Sequence, residues 1–284
     1  MLVEDTLFGV RDKIKISIDR IKTFEPMALS INGAGFYVCI SGGKDSSVIQ
    51  ELCVMAGVKC EFVHNHTSVD YPETIYFIRE EKKRMEAAGF IFRIEYPRYS
   101  DGRQKTMWNG IHRKGLPTRI SRWCCAELKE VGGIGRYCIT GVRWEESAKR
   151  RNRGVHEELT GSKEDKVILN NDNDMRRRLS ESCIPKRKFI LNPIIDWDEG
   201  EVWEFIKLRG VPINPLYTQG FKRVGCIGCP ISHYGRRDLD NMPKYKNCYY
   251  MAVVKHFEYR KEHGLKLNGV MESPDSYFEW WLRG

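Results

Sequence analysis

Short apolar runs alternate along the chain with longer stretches whose apolar residues return every three or four positions. Phe36–Ile40, Glu61–His64, Phe90–Ile94 and Arg136–Thr140 are rich in β-forming residues and read as strands. Val48, Leu52 and Ala56 share one helical stripe, with Ile49 and Cys53 beside it, and Gly57 stands where that helix must stop. Pro72 suits the first turn of a second helix that runs to about Gly89, with Ile75, Ile78 and Met85 inward. Asp198-Glu199-Gly200-Glu201 has capping-box spacing for a helix over Val202–Leu208, ended by Gly210. This alternation predicts an α/β fold: a doubly wound, mostly parallel, Rossmann-like sheet.

The flanks differ from this body. In residues 1–33, Val10, Ile14, Ile18 and Ile21 recur at helical spacing among Lys and Arg. They predict a helical N-terminal segment that packs on the body or mediates self-association into a homo-oligomer. Residues 34–235 carry the strand–helix alternation, and 236–284 form a helical C-terminal extension. Its aromatic end, with Trp280 and Trp281, is expected to pack back. Residues 149–188 are a basic insertion. Lys149, Arg150, Arg151 and Arg153, then Arg176, Arg177 and Arg178, then Lys186, Arg187 and Lys188 surround a polar stretch at Asn170-Asn171-Asp172-Asn173-Asp174. Such runs suit a solvated insertion or an arm that closes over a polyanionic substrate.

The first strand runs directly into Ser41-Gly42-Gly43-Lys44-Asp45-Ser46-Ser47. Two glycines let the backbone approach a ligand closely and take positive φ. The N–H groups of the turn and of the first helical turn then point at one spot, where the helix dipole also favours an anion. Ser41, Ser46 and Ser47 add hydroxyls and Lys44 a full charge, so the unit reads as a phosphate cradle. It is not a Walker A loop, because Lys44 is followed by Asp45 and no glycine stands five before Gly43. Asp70 lies in a loop at the carboxyl end of a strand, where α/β sheets place ligand contacts, or it caps the next helix. Gly141-Val142-Arg143-Trp144 is a second strand exit with a glycine. His64 and His66 share a strand face, but no third metal ligand is near them in sequence.

Composition narrows the setting. Of 284 residues, 30% are charged and 41% hydrophobic, and no apolar run approaches the ~18 residues of a membrane span. Met-Leu-Val-Glu-Asp at the start lacks the basic and apolar regions of a signal peptide, so a cytoplasmic, non-membrane protein is expected. The net charge of +9 suits an anionic partner, either a nucleotide or a nucleic acid. Ten cysteines in a reducing compartment point to metal or redox roles over disulfides.

Cys39, Cys53, Cys60 and Cys138 sit in or beside apolar runs and read as core residues, while Cys183 and Cys248 have no evident role. Cys124 and Cys125 are adjacent, and Cys226 and Cys229 form a C-x-x-C around Ile227-Gly228. Four thiolates suit a tetrahedral zinc, although side chains of adjacent residues diverge, which is awkward around one small ion. A larger iron–sulfur cubane accommodates them more easily, and a redox dithiol at Cys226/Cys229 is a third reading.

Ser41-Gly42-Gly43-Lys44-Asp45-Ser46 resembles the PP-loop of the ATP pyrophosphatase, or adenine-nucleotide α-hydrolase, superfamily. Four stretches together, Ser41–Ser46, Asp70–Thr74, Gly141–Ser147 and Asn192–Pro230, resemble the phosphoadenosine phosphosulfate (PAPS) reductase family within it, over about residues 35–235. The resemblance implies an adenine nucleotide at the strand ends, held by Ser41, Gly42, Gly43, Lys44, Asp45, Ser46, Asp70, Gly141 and Arg143. The Cys-Cys plus C-x-x-C set looks like that of assimilatory sulfonucleotide reductases and of the iron–sulfur subunit of DNA phosphorothioation systems. It implies a [4Fe–4S] cluster on Cys124, Cys125, Cys226 and Cys229.

Two departures matter. Those reductases carry a nucleophilic cysteine near the C-terminus in a Glu-Cys-Gly setting, whereas this end reads Phe-Glu-Trp-Trp-Leu-Arg-Gly and the last cysteine is Cys248. Their phosphate loops are degenerate and this one is complete, like those of ATP-cleaving members such as the small subunit of ATP sulfurylase. The expectation is an ATP-dependent enzyme of sulfur chemistry. Lys44, Asp45 and Arg143 would be catalytic, with Mg²⁺ on Asp45, and pyrophosphate would leave as a substrate is adenylylated. An anionic or nucleic-acid substrate and a sulfur-donor or electron-donor protein would be its partners. The alternatives are a PAPS or APS (sulfonucleotide) reductase using Cys248 or a partner's thiol, and a non-catalytic iron–sulfur regulator that binds nucleotide on nucleic acid.

Overall fold

The computed structural model describes residues 2–6, 9–148, 150–159, 167–169, 188–232, 235–265 and 272–283. Most of the basic insertion therefore lies outside the described residues, including Lys149, Arg176, Arg177, Arg178, Lys186 and Arg187, and so does Cys183.

The chain begins with a two-stranded antiparallel hairpin, β1 (Val3–Thr6) and β2 (Gly9–Asp12), and then helix α1 (Lys13–Ile31). A helix over all of 1–33 is not what forms. Val10, counted on the helical stripe, sits on β2 and is 68% exposed. Asp12 takes extended backbone and its carboxylate accepts the Lys15 N–H at 3.0 Å, which fixes the helix start. From there the spacing holds, and α1 buries Ile21, Phe24, Met27 and Ala28 in the main core.

The four expected strands appear as β3 (Phe36–Cys39), β4 (Cys60–Asn65), β5 (Ile91–Glu95) and β6 (Tyr137–Ile139). They join β7 (His156–Leu159), β8 (Val167–Leu169) and β9 (Lys188–Leu191) in one sheet of order β5-β4-β3-β6-β9-β7-β8. β4, β3, β6 and β9 run parallel to one another, with Tyr37 opposite Glu61 on one side and Cys138 on the other. β7 is antiparallel to both β9 and β8. The fold is thus a doubly wound, mostly parallel α/β sheet. Strands β3, β4 and β5 move outward in one direction; on the other side β9 returns to lie beside β6, with β7 and then β8 outside it. The order reverses between β3 and β6, and such switch points are where open α/β sheets bind ligands.

The remaining helices are α2 (Lys44–Ala56), α3 (Pro72–Ala87), α4 (Met107–Lys114), α5 (Glu199–Arg209), α6 (Gly235–Asn241), α7 (Pro243–Glu262) and α8 (Pro274–Arg283). Among the described residues, none is long and apolar enough to cross a membrane. The chain forms two compact units that interleave in sequence. One holds residues 1–64, 76–94 and 133–224; the other holds 65–75, 95–132 and 225–284. The N-terminal helix thus belongs to the sheet unit. The cysteine-bearing segments belong with the C-terminal helices, where α7 packs on α4 and α8.

In the sheet unit, Asn192-Pro193-Ile194-Ile195-Asp196-Trp197 clamps α1. Arg20 donates to Asp196 at 2.7 Å and to the Pro193 carbonyl at 3.0 Å. The Trp197 indole N–H donates to Ser17 at 3.1 Å, and Lys13 pairs with the buried Glu201 at 2.5 Å. Burial pushes the Asp196 carboxyl up, but the Arg20 hydrogen bonds and the Arg20 and Arg11 charges outweigh it and hold it below the ordinary carboxylate range. The folded carboxylate keeps its charge to lower pH than the unfolded one. Its contribution is therefore full above the usual Asp value of about 4 and is lost as pH falls through the lowered folded value. Arg20→Met leaves Asp196 with only its more exposed partner Arg11, at 3.0 Å, and should cost about 2 kcal/mol in urea unfolding at neutral pH, with a shallower loss of stability in acid. An unchanged unfolding midpoint would show that the clamp does not matter.

Candidate functional site

The first candidate site is the cradle at the switch point, wholly within the sheet unit. Gly42 sits at φ +78°, which turns the chain out of β3, and Gly43 is the extended cap of α2. The serines knit the turn: Ser46 Oγ donates to the Gly43 carbonyl at 2.7 Å and lies 3.2 Å from Ser41 Oγ, which accepts the Gly43 N–H at 3.3 Å. Asn214 and Tyr217 come to the same turn. Asn214 Nδ2 donates to the Gly42 carbonyl at 3.2 Å, and the Lys44 N–H donates to the Tyr217 hydroxyl at 2.9 Å. The hydroxyl oxygen thus meets an amide at the dipole-positive end of α2, as an anion's oxygen could. Burial pushes the Tyr217 phenol up to about 12, so it stays protonated.

The second wall comes from β6. Gly141 passes so close to α2 that a Cβ there would lie 2.9 Å from the Asp45 carbonyl oxygen. Two residues on, Arg143 is buried and its Nε donates to Asp45 at 2.6 Å. Its Nη1 reaches Glu145 at 2.8 Å and the Trp197 carbonyl at 3.4 Å. Burial alone would lower the guanidinium pKa, but Asp45 and Glu145 raise it on balance. Lys44 is also buried, with its ammonium 3.3 Å from Glu199 and 3.7 Å from Asp45. Two cations and a row of amides therefore face one place. Of the residues expected here, the structure brings together Ser41, Gly42, Gly43, Lys44, Asp45, Ser46, Gly141 and Arg143.

Asp70 belongs to the second unit. Its carboxylate closes its own loop by accepting the Thr67 N–H at 2.8 Å. Its backbone forms an antiparallel bridge with Cys226, and Ile227 N–H donates to the Val69 carbonyl at 2.8 Å. Asp70 is thus a neighbour of the cysteines.

All four candidate cysteines lie in this second unit. Cys125 opens a single wide π-turn, Cys125–Lys129, in which the Glu130 N–H reaches the Cys125 carbonyl at 2.9 Å. Just before it, the Trp123 ring lies where a Cβ on Gly110 would be, and its indole N–H donates to the Gly115 carbonyl at 3.2 Å. Gly228, at φ +68°, turns the C-x-x-C, and the Tyr249 hydroxyl fixes that turn by donating to the Ile227 carbonyl at 2.9 Å. The four sulfurs sense one another. Cys124 is raised by its hydrogen bond with Cys125, by burial and by the charges of Cys125, Cys226 and Cys229. Cys125 is pulled down to about 5 by the Cys124 thiol and by the Arg122 guanidinium, 3.3 Å from its sulfur. Lys129 faces Cys226 and Asp70, whose negative charges raise its pKa.

Among the described residues, no three His, Cys, Asp or Glu side chains are arranged to hold a single metal ion. The donor set nonetheless fits an iron–sulfur cluster in chemistry: four thiols in one unit, one already favoured as thiolate, with Arg122 and Lys129 to offset their charge. His64 is buried in the sheet unit, with its Nδ1 on the Ile40 carbonyl at 2.9 Å. Sequence reasoning missed Tyr217, Asn214, Glu145 and Glu199. Asn214 and Tyr217 fall within the Asn192–Pro230 stretch that carries the family resemblance and Glu199 within a helix start, but neither signal says where the segment lands.

A parallel α/β sheet with a glycine turn and a helix N-terminus at its switch point defines a PP-loop type of protein. The family model for the phosphoadenosine phosphosulfate reductase domain matches residues 35–232, and the chain belongs to that family. It is 28% identical over 240 residues to an uncharacterized protein of Methanocaldococcus jannaschii, covering 78% of this chain but 50% of that protein, so the chain spans half the relative's length. It is 25% identical over 203 residues to an adenosine 5'-phosphosulfate reductase of Geobacillus kaustophilus, covering 72% of this chain and 75% of that one. Among solved structures, a U34-tRNA thiolase from Methanococcus maripaludis with its [4Fe–4S] cluster is similar at TM-score 0.46 and 13% identity, covering 93% of this chain and 86% of that one.

The close approach at Gly141 is directly testable. Gly141→Ala forces the start of α2 away from β6 and should cost roughly 1–3 kcal/mol in denaturant unfolding. It should also weaken ATP binding measured by calorimetry. Wild-type stability and affinity in this variant would show that the two backbones are not locked together.

Proposed function

We propose that the chain is an ATP-dependent enzyme of sulfur chemistry that transfers an adenylyl group and releases pyrophosphate. The observation that carries this reading is the intact Ser41–Ser46 turn, with the α2 N-terminus, Lys44 and the Asp45–Arg143 pair gathered around it. In this reading the turn amides and the Ser41 and Ser46 hydroxyls hold the β- and γ-phosphates, and Lys44 adds charge. A substrate oxygen forms a bond to the α-phosphorus, the bond from that phosphorus to the bridging oxygen breaks, and pyrophosphate leaves with the electron pair. Lys44 and the amides stabilise the charge that builds on the leaving group. Arg143 faces the α-phosphate through the guanidinium edge now given to Glu145. Asp45 is the carboxylate that would hold Mg²⁺, which supplies further charge neutralisation to the phosphates.

Cys124, Cys125, Cys226 and Cys229 would hold a [4Fe–4S] cluster. When bound, it supplies sulfur delivery or poises the substrate. The chain's part is to present four thiolates and to balance them with Arg122 and Lys129.

A second reading, sulfonucleotide reduction, is favoured by the family and by the adenosine 5'-phosphosulfate reductase relative. Its nucleophile would be Cys248, exposed on α7, or a partner's thiol.

Two measurements decide between and beneath these readings. Lys44→Ala should lower the turnover of pyrophosphate release from ATP by about 10²-fold. Sulfite release from PAPS or adenosine 5'-phosphosulfate, without pyrophosphate release from ATP across tRNA, DNA and small acids, would instead establish the reductase. Anaerobically purified protein should carry about four iron and four sulfide per chain. Cys→Ser at 124, 125, 226 or 229 should lose that iron, whereas Cys248→Ser keeps it. Stoichiometric zinc without sulfide would refute the cluster.

A further inference from the structure

In the second unit, residues 97–105 fold back as a tight hairpin. The Lys105 N–H donates to the Pro97 carbonyl at 2.6 Å, and the Tyr99 N–H donates to the Arg103 carbonyl at 2.8 Å. Arg98 bridges Gln104, and Gly102 at φ +84° makes the reversal. The chain then enters α4, capped by Thr106, whose hydroxyl accepts the Asn109 N–H at 3.2 Å.

This arrangement gathers cations around one ring. The Arg113 guanidinium on α4 lies 5.1 Å from the centroid of Tyr99, the Lys105 ammonium 5.3 Å and the Arg103 guanidinium 5.9 Å. Arg98 adds a fourth charge, with its guanidinium on the Gly102 carbonyl at 2.8 Å. Arg98, Arg103 and Arg113 are exposed. Among the described residues one carboxylate ion-pairs with the group, Asp101, at 2.6 Å from Arg103.

Four cations and one acid on a hydrogen-bonded hairpin and a capped helix leave an excess of about three charges. Cation–π contacts at exposed sites contribute only about 0.5–1 kcal/mol each, so the ring does not by itself compensate for gathering like charges. A partner that carries regularly spaced anions would. Tyr96, three residues before Tyr99, is 42% exposed and packs at a tilt against His66, ring centroids 5.0 Å apart, leaving aromatic surface beside the hairpin stem. Cations for phosphates beside an exposed aromatic for bases is the recognition chemistry of an unpaired strand.

We propose that the hairpin at 97–105 and the end of α4 form a docking surface for the phosphodiester backbone of a single-stranded nucleic acid. This goes beyond the adenylyl chemistry proposed for the cradle. It is tested without ATP, so the two readings fail separately.

The test is fluorescence anisotropy with a labelled 20-nucleotide single strand, DNA and RNA in turn, over a salt series. Removing three phosphate contacts by R103Q/K105Q/R113Q should make the slope of log K against log salt shallower by about 2, because each contact on a single strand contributes about 0.7. K22Q/K83Q/K207Q, at exposed lysines of the other unit, should leave the slope as it was. Unfolding midpoints check that the variants are folded; if the triple variant is not, Arg113→Gln alone should remove about 0.7 from the slope. A wild-type slope in the hairpin variant, or an equal loss in the control, overturns the proposal. So does a wild-type protein that ignores the strand yet binds poly-glutamate.

Discussion

The contact between Gly141 and Asp45 is the constraint on which the sheet unit depends. β6 leaves the sheet beside the start of α2, and only the missing Cβ lets the two backbones meet. Asp45 then binds Arg143, so the same residue is held by backbone packing on one side and by a buried ion pair on the other. A carboxylate in the first turn of a helix is also stabilised by the dipole. Arg143 is fixed in turn by the Trp197 carbonyl, and Trp197 belongs to the segment that clamps α1 through Ser17 and Arg20. The orientation of the Ser41–Ser46 amides is thus set by a chain of contacts that runs back to the N-terminal helix. α1, the helix before β3, accordingly carries two of the buried cations in the unit, Lys13 and Arg20.

In the other unit the aromatic C-terminal helices do comparable positioning. Tyr249 of α7 holds the C-x-x-C turn by its Ile227 carbonyl. Tyr277 of α8 accepts the Leu116 N–H at 2.9 Å, and the Trp281 indole N–H donates to the Pro117 carbonyl at 2.6 Å. These bonds fix the loop that leads from α4 to Trp123 and the paired cysteines. The ring packing of Tyr249 with Trp281 and with Trp108 joins the two cysteine loops to one scaffold. The extension is an internal support for both cysteine segments, of which Cys124-Cys125 lies far from it in sequence and the C-x-x-C directly before it.

How much of this could be read from the residues follows from the range of the physics. Strand and helix positions rest on local periodicity, and β3, α2, α3 and α5 form within a residue or two of where the pattern puts them or, for α5, start at its capping box. The helix start at Lys13 was misread because the stripe of Val10, Ile14, Ile18 and Ile21 continues through a hairpin; the Asp12 cap is the signal that could have stopped it. The cradle was legible because its ligands are consecutive residues. Tyr217 and Asn214 were not, because they reach Lys44 and Gly42 across more than 170 residues, through a tertiary path that no local pattern encodes. Asp70 adds a contact that is equally non-local: its backbone bridges Cys226, more than 150 residues away, while its carboxylate meets the Thr67 N–H.

The partners of the cradle's cations are of two kinds. Asp45 is four-fifths buried and bonds Arg143 through Nε, where it also shapes the start of α2. Glu145 and Glu199 are about half exposed, and they hold the outward edge of Arg143 and the tip of Lys44. An unpaired buried cation would cost several kcal/mol, so each needs an anionic partner. Half-exposed carboxylates cover them at little net gain, since solvent screens such pairs to about 0–1 kcal/mol. In the proposed reaction a nucleotide phosphate would therefore replace Glu145 and Glu199 without disturbing Asp45. The inner ion pair keeps the geometry, and the outer two are the ones that chemistry at this site can exchange.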